Sequence, residues 1–178
     1  MIISEQLRED NFQEYLLLLK NPDYCNVTFD SESGGYSAVH KRHCFDPKIG
    51  IYGIKKGDYE LIAANILRAR GHAIVLESED APDGVRCADG TIDGITMDIK
   101  AVEGHGKWAI KDKFHDATKK GAECVILYFH KMDTFSIARI VDGWQKFLGD
   151  KDSLRYAKTI RKVICVVEER VFDWEIPI

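Results

Sequence analysis

Asp93, Asp98 and Lys100 stand close together in the stretch Asp93-Gly-Ile-Thr-Met-Asp98-Ile-Lys100, which supplies two carboxylates and an ammonium, the groups that metal-assisted hydrolysis of a phosphodiester uses. If Ile95–Val102 is a strand, its alternation puts Thr96, Asp98 and Lys100 on one face and Met97 and Ile99 on the other. A bend or bulge at the hairpin end then brings Asp93 toward Asp98. Hard divalent cations take oxygen ligands, so Asp93 and Asp98, with the Ile99 carbonyl and water, form a candidate site for Mg²⁺ or Mn²⁺. The Lys100 ammonium is then placed to orient the attacking water, or help deprotonate it, and to offset charge on a phosphorane-like transition state. Glu60, in the first turn of an expected helix, has two readings: a carboxylate favoured by the helix dipole, or a further ligand to metal or water. The spacing alone decides little, because charged residues are common enough to produce it by chance.

The segment after Lys100 carries Lys107, Lys111, Lys113, Lys119 and Lys120 against Glu103, Asp112 and Asp116, with His105 and His115 among them. Such a helix beside an acidic metal site can hold a phosphate backbone, and the competing reading is a solvated charged face. Lys107 and Lys111 share an i,i+4 face at the entry marked by Gly104-His105-Gly106, and Trp108 beside them can stack a base. Upstream, His40 and His43 offer a general acid or a phosphate contact, against a plain exposed loop. With Cys44 and Asp46 they lack the second ligand pair of a structural zinc site. The five cysteines form no C-x-x-C pair and read as reduced thiols.

These residues need a frame. Helical periodicity covers 3–20, with Ser4 as cap. Residues 21–57 read as a loop-rich connector with room for a short hairpin. A helix over 58–70 stops at Gly71 and gives way to a strand at 72–77, and an acidic turn at 79–84 leads into a segment ending at Ile92. Asp93-Gly94 is a hairpin signal linking it to the strand at 95–102. A helix over 107–120, a buried strand at 124–129, a helix over 135–148 and a strand at 163–167 complete the pattern. The fold class expected is α/β, a mixed sheet flanked by helices, with 1–56 as N-terminal helix and connector and 57–178 as the main domain.

The order helix, strand, strand, strand, helix, strand, with Asp93 and Asp98-Ile99-Lys100 on its hairpin, resembles the PD-(D/E)xK nuclease superfamily and its restriction-endonuclease-like core. Ile92 stands where that motif has proline. Within the superfamily, Tyr59-Glu60, Gly71, Gly90–Lys100 and 119–127 resemble the C-terminal tRNA nuclease-like toxin domains of contact-dependent growth inhibition (CdiA) proteins, over residues 36–130. Related domains end phage and mobile-element proteins. The resemblance implies a metal-dependent endonuclease, with tRNA the first substrate and DNA the second, acting as a toxin in the cytoplasm with a cognate immunity protein. Family members often carry glutamine near the position of Lys120. The alternative is a non-catalytic nucleic-acid- or protein-binding module of a phage or mobile element.

Composition sets outer bounds on these readings. The chain has 178 residues, 45% hydrophobic and 30% charged, with a formal net charge of −4. That disfavours a disordered tail and a uniformly basic nucleic-acid coat. No apolar run approaches the ~18 residues of a membrane span, and the N-terminus lacks the basic and apolar regions of an export signal.

Overall fold

The structure, a computed structural model, describes residues 4–80, 87–153 and 159–174. One eight-stranded mixed sheet runs through it in sequential order: β1 (Tyr24–Phe29), β2 (Tyr36–His40), β3 (Ala73–Leu76), β4 (Gly90–Ile92), β5 (Ile95–Ala101), β6 (Cys124–Phe129), β7 (Lys162–Val167) and β8 (Arg170–Trp174). The helices are α1 (Glu5–Lys20), α2 (Lys56–Arg68), α3 (Ala109–Lys119) and α4 (Ile137–Gly149). The pairs β2–β3, β5–β6 and β6–β7 are parallel, and α2, α3 and α4 are their respective crossovers. The remaining pairs are antiparallel. Parallel neighbours need such long connections, and the helices bury both sheet faces in doing so.

Alternation along the strands sorts the core into two layers. Ile74, Leu76, Met97, Ile99, Cys124 and Ile126 pack against Tyr59, Ala63 and Leu67 of α2. Val125, Leu127, Phe129, Val163 and Cys165 face the other way and meet Ile110 and Phe114 of α3 and Ile140, Trp144 and Phe147 of α4. Every residue of β6 is buried, as expected for a central strand covered on both sides. On the α3–α4 side, α1 covers β1 to β3, where Tyr15 and Leu18 meet Ala38, Ala73 and Val75.

The segment expected as a connector therefore contributes β1 and β2 to the same sheet as the main domain. β8 was not expected at all. It folds back from β7 through Glu168, which adopts φ 54. Part of the acidic turn, residues 81–86, lies outside the described residues. Among the described residues, no helix is long and apolar enough to cross a membrane.

Candidate active site

The strand β5 is seven residues long and its partner β4 only three, so β4 pairs with β5 only from Gly90↔Met97 down to Ile92↔Ile95. Beyond Met97 the upper part of β5 runs on beside β6 alone, and a fork opens at the carboxyl ends of the parallel strands, where open α/β sheets commonly hold their ligands. Asp98 and Lys100 stand on this free stretch. Their register partners on β6 are Val125 and Leu127, which belong to the α3–α4 layer, so both side chains point to that face while Met97 and Ile99 enter the α2 layer.

Asp93 does not join Asp98. It and Gly94, at φ 51 and φ 81, make a two-residue hairpin turn, the type in which both central residues adopt positive φ. The pairing on either side is regular, without the bulge that would have bent Asp93 inward. Its carboxylate is held at the opposite end of the hairpin, Oδ1 accepting from the Ala73 N–H at 3.0 Å and Oδ2 lying 2.7 Å from His72 Nδ1. Three residues of strand, roughly 10 Å, separate the end of that turn from Asp98. The acid that meets Asp98 is Asp89.

The two-residue turn pins the register: with Ile92 opposite Ile95, the residue opposite Asp98 is Asp89. That signal was present in the sequence once Asp93-Gly94 was read as a turn. Asp89 is 3% exposed and its Oδ2 accepts from the Ile99 N–H at 2.8 Å. Lys120, at the end of α3, places its ammonium between the two acids, 2.8 Å from Asp89 Oδ1 and 3.0 Å from Asp98 Oδ1. The Lys100 ammonium lies 2.5 Å from Asp98 Oδ2. That oxygen is fully buried and has no aligned hydrogen-bond donor among the described residues.

Burial first, and the neighbouring Asp89 charge second, push the Asp98 pKa up to about 7, against the pull of Lys100 and Lys120. Asp89 moves the other way: burial opposes ionisation, but a hydrogen bond from Asp98 and the charges of Lys100 and Lys120 carry it below the ordinary carboxylate range. The two acids are therefore coupled, each charge opposing the other, with Asp98 the more readily protonated of the two.

Glu60, in the first turns of α2, feels the Asp89 charge, but its direct partner is His43. Its Oε2 is 2.9 Å from Nε2 of His43, and His43 Nδ1 is 2.7 Å from the Glu77 carbonyl just past β3. A carbonyl can only accept, so Nδ1 carries a proton and Nε2 is the nitrogen that titrates against Glu60. Burial would depress the His43 pKa, but the Glu60 and Glu77 contacts outweigh it and the net shift is upward. Glu60 is also raised, by burial foremost. His43, read from sequence as either a catalytic group or an exposed loop residue, is a buried partner of Glu60, while His40 stays at the rim with Nδ1 accepting from the Arg42 N–H.

Residues proposed for nucleic-acid contact lie at the entry of α3. His105, Lys107 and Trp108 are exposed, and the Trp108 ring has the ammoniums of Lys107 and Lys146 at 5.0 and 5.1 Å from its centre. Lys111 is committed elsewhere, its ammonium 2.6 Å from Asp150 Oδ2. Among the described residues no three His, Cys, Asp or Glu side chains are grouped as a metal cage. Comparison of the chain with protein-family models, with curated proteins and with solved structures finds no match.

Proposed function

We propose that the protein is a divalent-metal-dependent nuclease with a PD-(D/E)xK-like core, in which Asp89 takes the place that the sequence reading gave to Asp93. The observation that carries the proposal is the pairing of Asp89 with Asp98-Ile99-Lys100 across the β4–β5 fork, inside the order α2, β3, β4, β5, α3, β6. The residues suit Mg²⁺ or Mn²⁺. All donors are carboxylate oxygens, Asp98 Oδ2 meets only the Lys100 ammonium among the described residues, and Mg²⁺ is commonly held by one or two carboxylates, the rest of its shell being water and substrate phosphate. When bound there, such an ion supplies a polarised phosphoryl oxygen and a more acidic water.

The chain's own groups then divide the work. Asp89 is fixed by the Ile99 N–H and Asp98 by its two lysines, so the acids are held in place before substrate arrives. Lys120 offsets their mutual repulsion. Lys100 faces the free edge of Asp98, where it can orient water and balance charge that builds on the phosphorus-bound oxygens. Glu60, oriented by His43, adds a further acceptor for that water. The exposed Trp108 with Lys107 and His105 supports contact with a nucleic acid, tRNA first and DNA second.

Incubating the protein with tRNA and with plasmid DNA, in Mg²⁺, Mn²⁺ or EDTA, tests this directly. Cleavage that needs metal and is lost in Asp98→Ala and Lys100→Ala is the expected result. Folded protein that cleaves neither substrate with any metal would refute it. Growth arrest on expression, relieved by Asp98→Ala, is expected if the activity serves as a toxin held in check by an immunity protein.

A further inference from the structure

The cations around the fork are almost all matched. Lys120 holds Asp89 and Asp98, Lys100 holds Asp98, and the Lys56 ammonium lies 3.7 Å from Glu103 Oε2. Lys113 of α3 has no carboxylate within ion-pair distance among the described residues, although it is half-buried. Helix geometry says where it sits. Ile110, Lys113, Ala117 and Lys120 follow the i, i+3, i+7, i+10 stripe of one helix face. Ile110 and Ala117 are buried against the sheet, and Lys120 reaches Asp89 and Asp98. Seven residues of helix put Lys113 roughly 10 Å further along the α3–β5 seam, toward the carboxyl end of β5. There it shares the α3 side of β5 with Lys100, while Lys56 is held at Glu103 just past that strand; both charges repel it, and the attractions of Asp116 and Glu103 are weaker.

A half-buried ammonium repelled by two others costs stability unless an anion neutralises it. Burial first, then the charges of Lys100 and Lys56, hold the Lys113 pKa below the ordinary lysine value. A half-buried cation on the sheet-facing stripe of α3 without a carboxylate partner among the described residues suits a negatively charged ligand. Lys111, which shares the helix, is neutralised by Asp150 and is no rival for that ligand.

We propose that Lys113, flanked by Lys100 and Lys56, binds a backbone phosphate of a nucleic-acid strand lying along the α3–β5 seam, next to the phosphate that reaches Asp89 and Asp98. The inference rests on the nucleic-acid reading of the site but not on hydrolysis, so it can be tested without turnover. Binding of a short fluorescein-labelled single-stranded oligonucleotide is measured by anisotropy in EDTA, over a range of salt, for the wild type and for Lys113→Met, Lys113→Arg and Lys119→Met. Lys119 is exposed one position before Lys120 and serves as the control for lost charge. Lys113→Met is expected to weaken binding on the order of tenfold. It should also flatten the slope of log K against log salt by ~0.7, the share of one phosphate on a single strand. Lys113→Arg retains binding and Lys119→Met changes little.

The same Lys113→Met substitution keeps the aliphatic stem and removes the unmatched charge, so its melting temperature is expected to equal or exceed that of the wild type. Loss of affinity with retained or raised stability is what a binding residue gives, and a packing residue would lose both. The proposal is overturned if the wild type fails to bind in EDTA, or if Lys113→Met and Lys119→Met behave alike. Cleavage assayed separately in Mg²⁺ reports on hydrolysis: binding that depends on Lys113 without any cleavage keeps the phosphate site and rejects the nuclease.

Discussion

Asp89 and Asp93 differ in what their surroundings ask of them, and substitution separates the two. Asp89 is buried at the fork, bonded to the Ile99 N–H and to Lys120, whereas Asp93 serves the hairpin turn, His72 and Ala73. Asp89→Asn is expected to lower cleavage by ~10²-fold or more, the scale of losing a group that acts on the reacting centre. Asp93→Asn keeps the turn, since Asn accepts positive φ as well as Asp, and leaves the rate within about twofold. Equal losses in the two variants, in a timed tRNA or plasmid assay, would restore the assignment to Asp93. Asp98 adds a pH dependence whose sign can be worked out. Its folded pKa of about 7 lies above the ordinary value of 3.8, so between the two the folded chain binds a proton that the unfolded chain has released. Stability from this group therefore falls as pH rises through that window, while the ionised form that could hold a cation becomes populated toward its upper end. Asp98→Asn should melt a few degrees above the wild type at pH 8 and close to it at pH 4, whereas wild-type cleavage should climb through pH 7. A melting difference independent of pH would rule out the raised pKa.

Among the secondary-structure elements, the short β4 governs the site because its early end makes the fork. Gly90, its first residue, has no room for a side chain: a Cβ there would lie 1.9 Å from the Val75 carbonyl oxygen of β3. Gly90→Ala must push β4 off β3 and carry the adjacent Asp89 with it. The expected cost is ~2 kcal/mol or more in urea unfolding, together with a loss of activity beyond that explained by the unfolded fraction. The main elements were legible because they rest on local signals. Ser4 caps α1 with its hydroxyl accepting from the Leu7 N–H, Gly71 and Gly121 follow α2 and α3 at positive φ, and the apolar run 124–129 could only be a central strand. The site was less legible. Asp98 and Lys100 follow from strand alternation, but Asp89 requires counting register through the turn rather than along the motif. His43 requires the fold itself, since its partners Glu60 and Glu77 come from α2 and the end of β3. Lys113 is conspicuous only once its neighbours on α3 and β5 are known to be paired.

For the molecule as a whole, the decisive question is whether residues 1–56 are an appendage or part of the folding unit. The sheet argues for the second. β2 pairs in parallel with all four residues of β3, from Tyr36↔Ala73 to Val39↔Leu76, and α1 covers Ala73 and Val75 from one side. The same segment delivers His43 to Glu60, and Phe45 to a close approach over Gly57, where an added Cβ would lie 2.5 Å from the Phe45 Cβ. A chain beginning at Gly57 would keep the order α2, β3, β4, β5, α3, β6, yet it would turn β3 from an interior strand into an open hydrophobic edge. It would also strip the apolar residues of β3 of their cover and leave Glu60 without its imidazole. Such a chain is expected to aggregate or elute as a broad, high-mass species, and to melt without a cooperative transition by circular dichroism. The full chain should be monodisperse and unfold in one step. A monomeric, cooperatively folding 57–178 fragment with metal-dependent cleavage would instead place the domain boundary where the sequence pattern put it. It would also show that β1, β2 and His43 are dispensable to the fork.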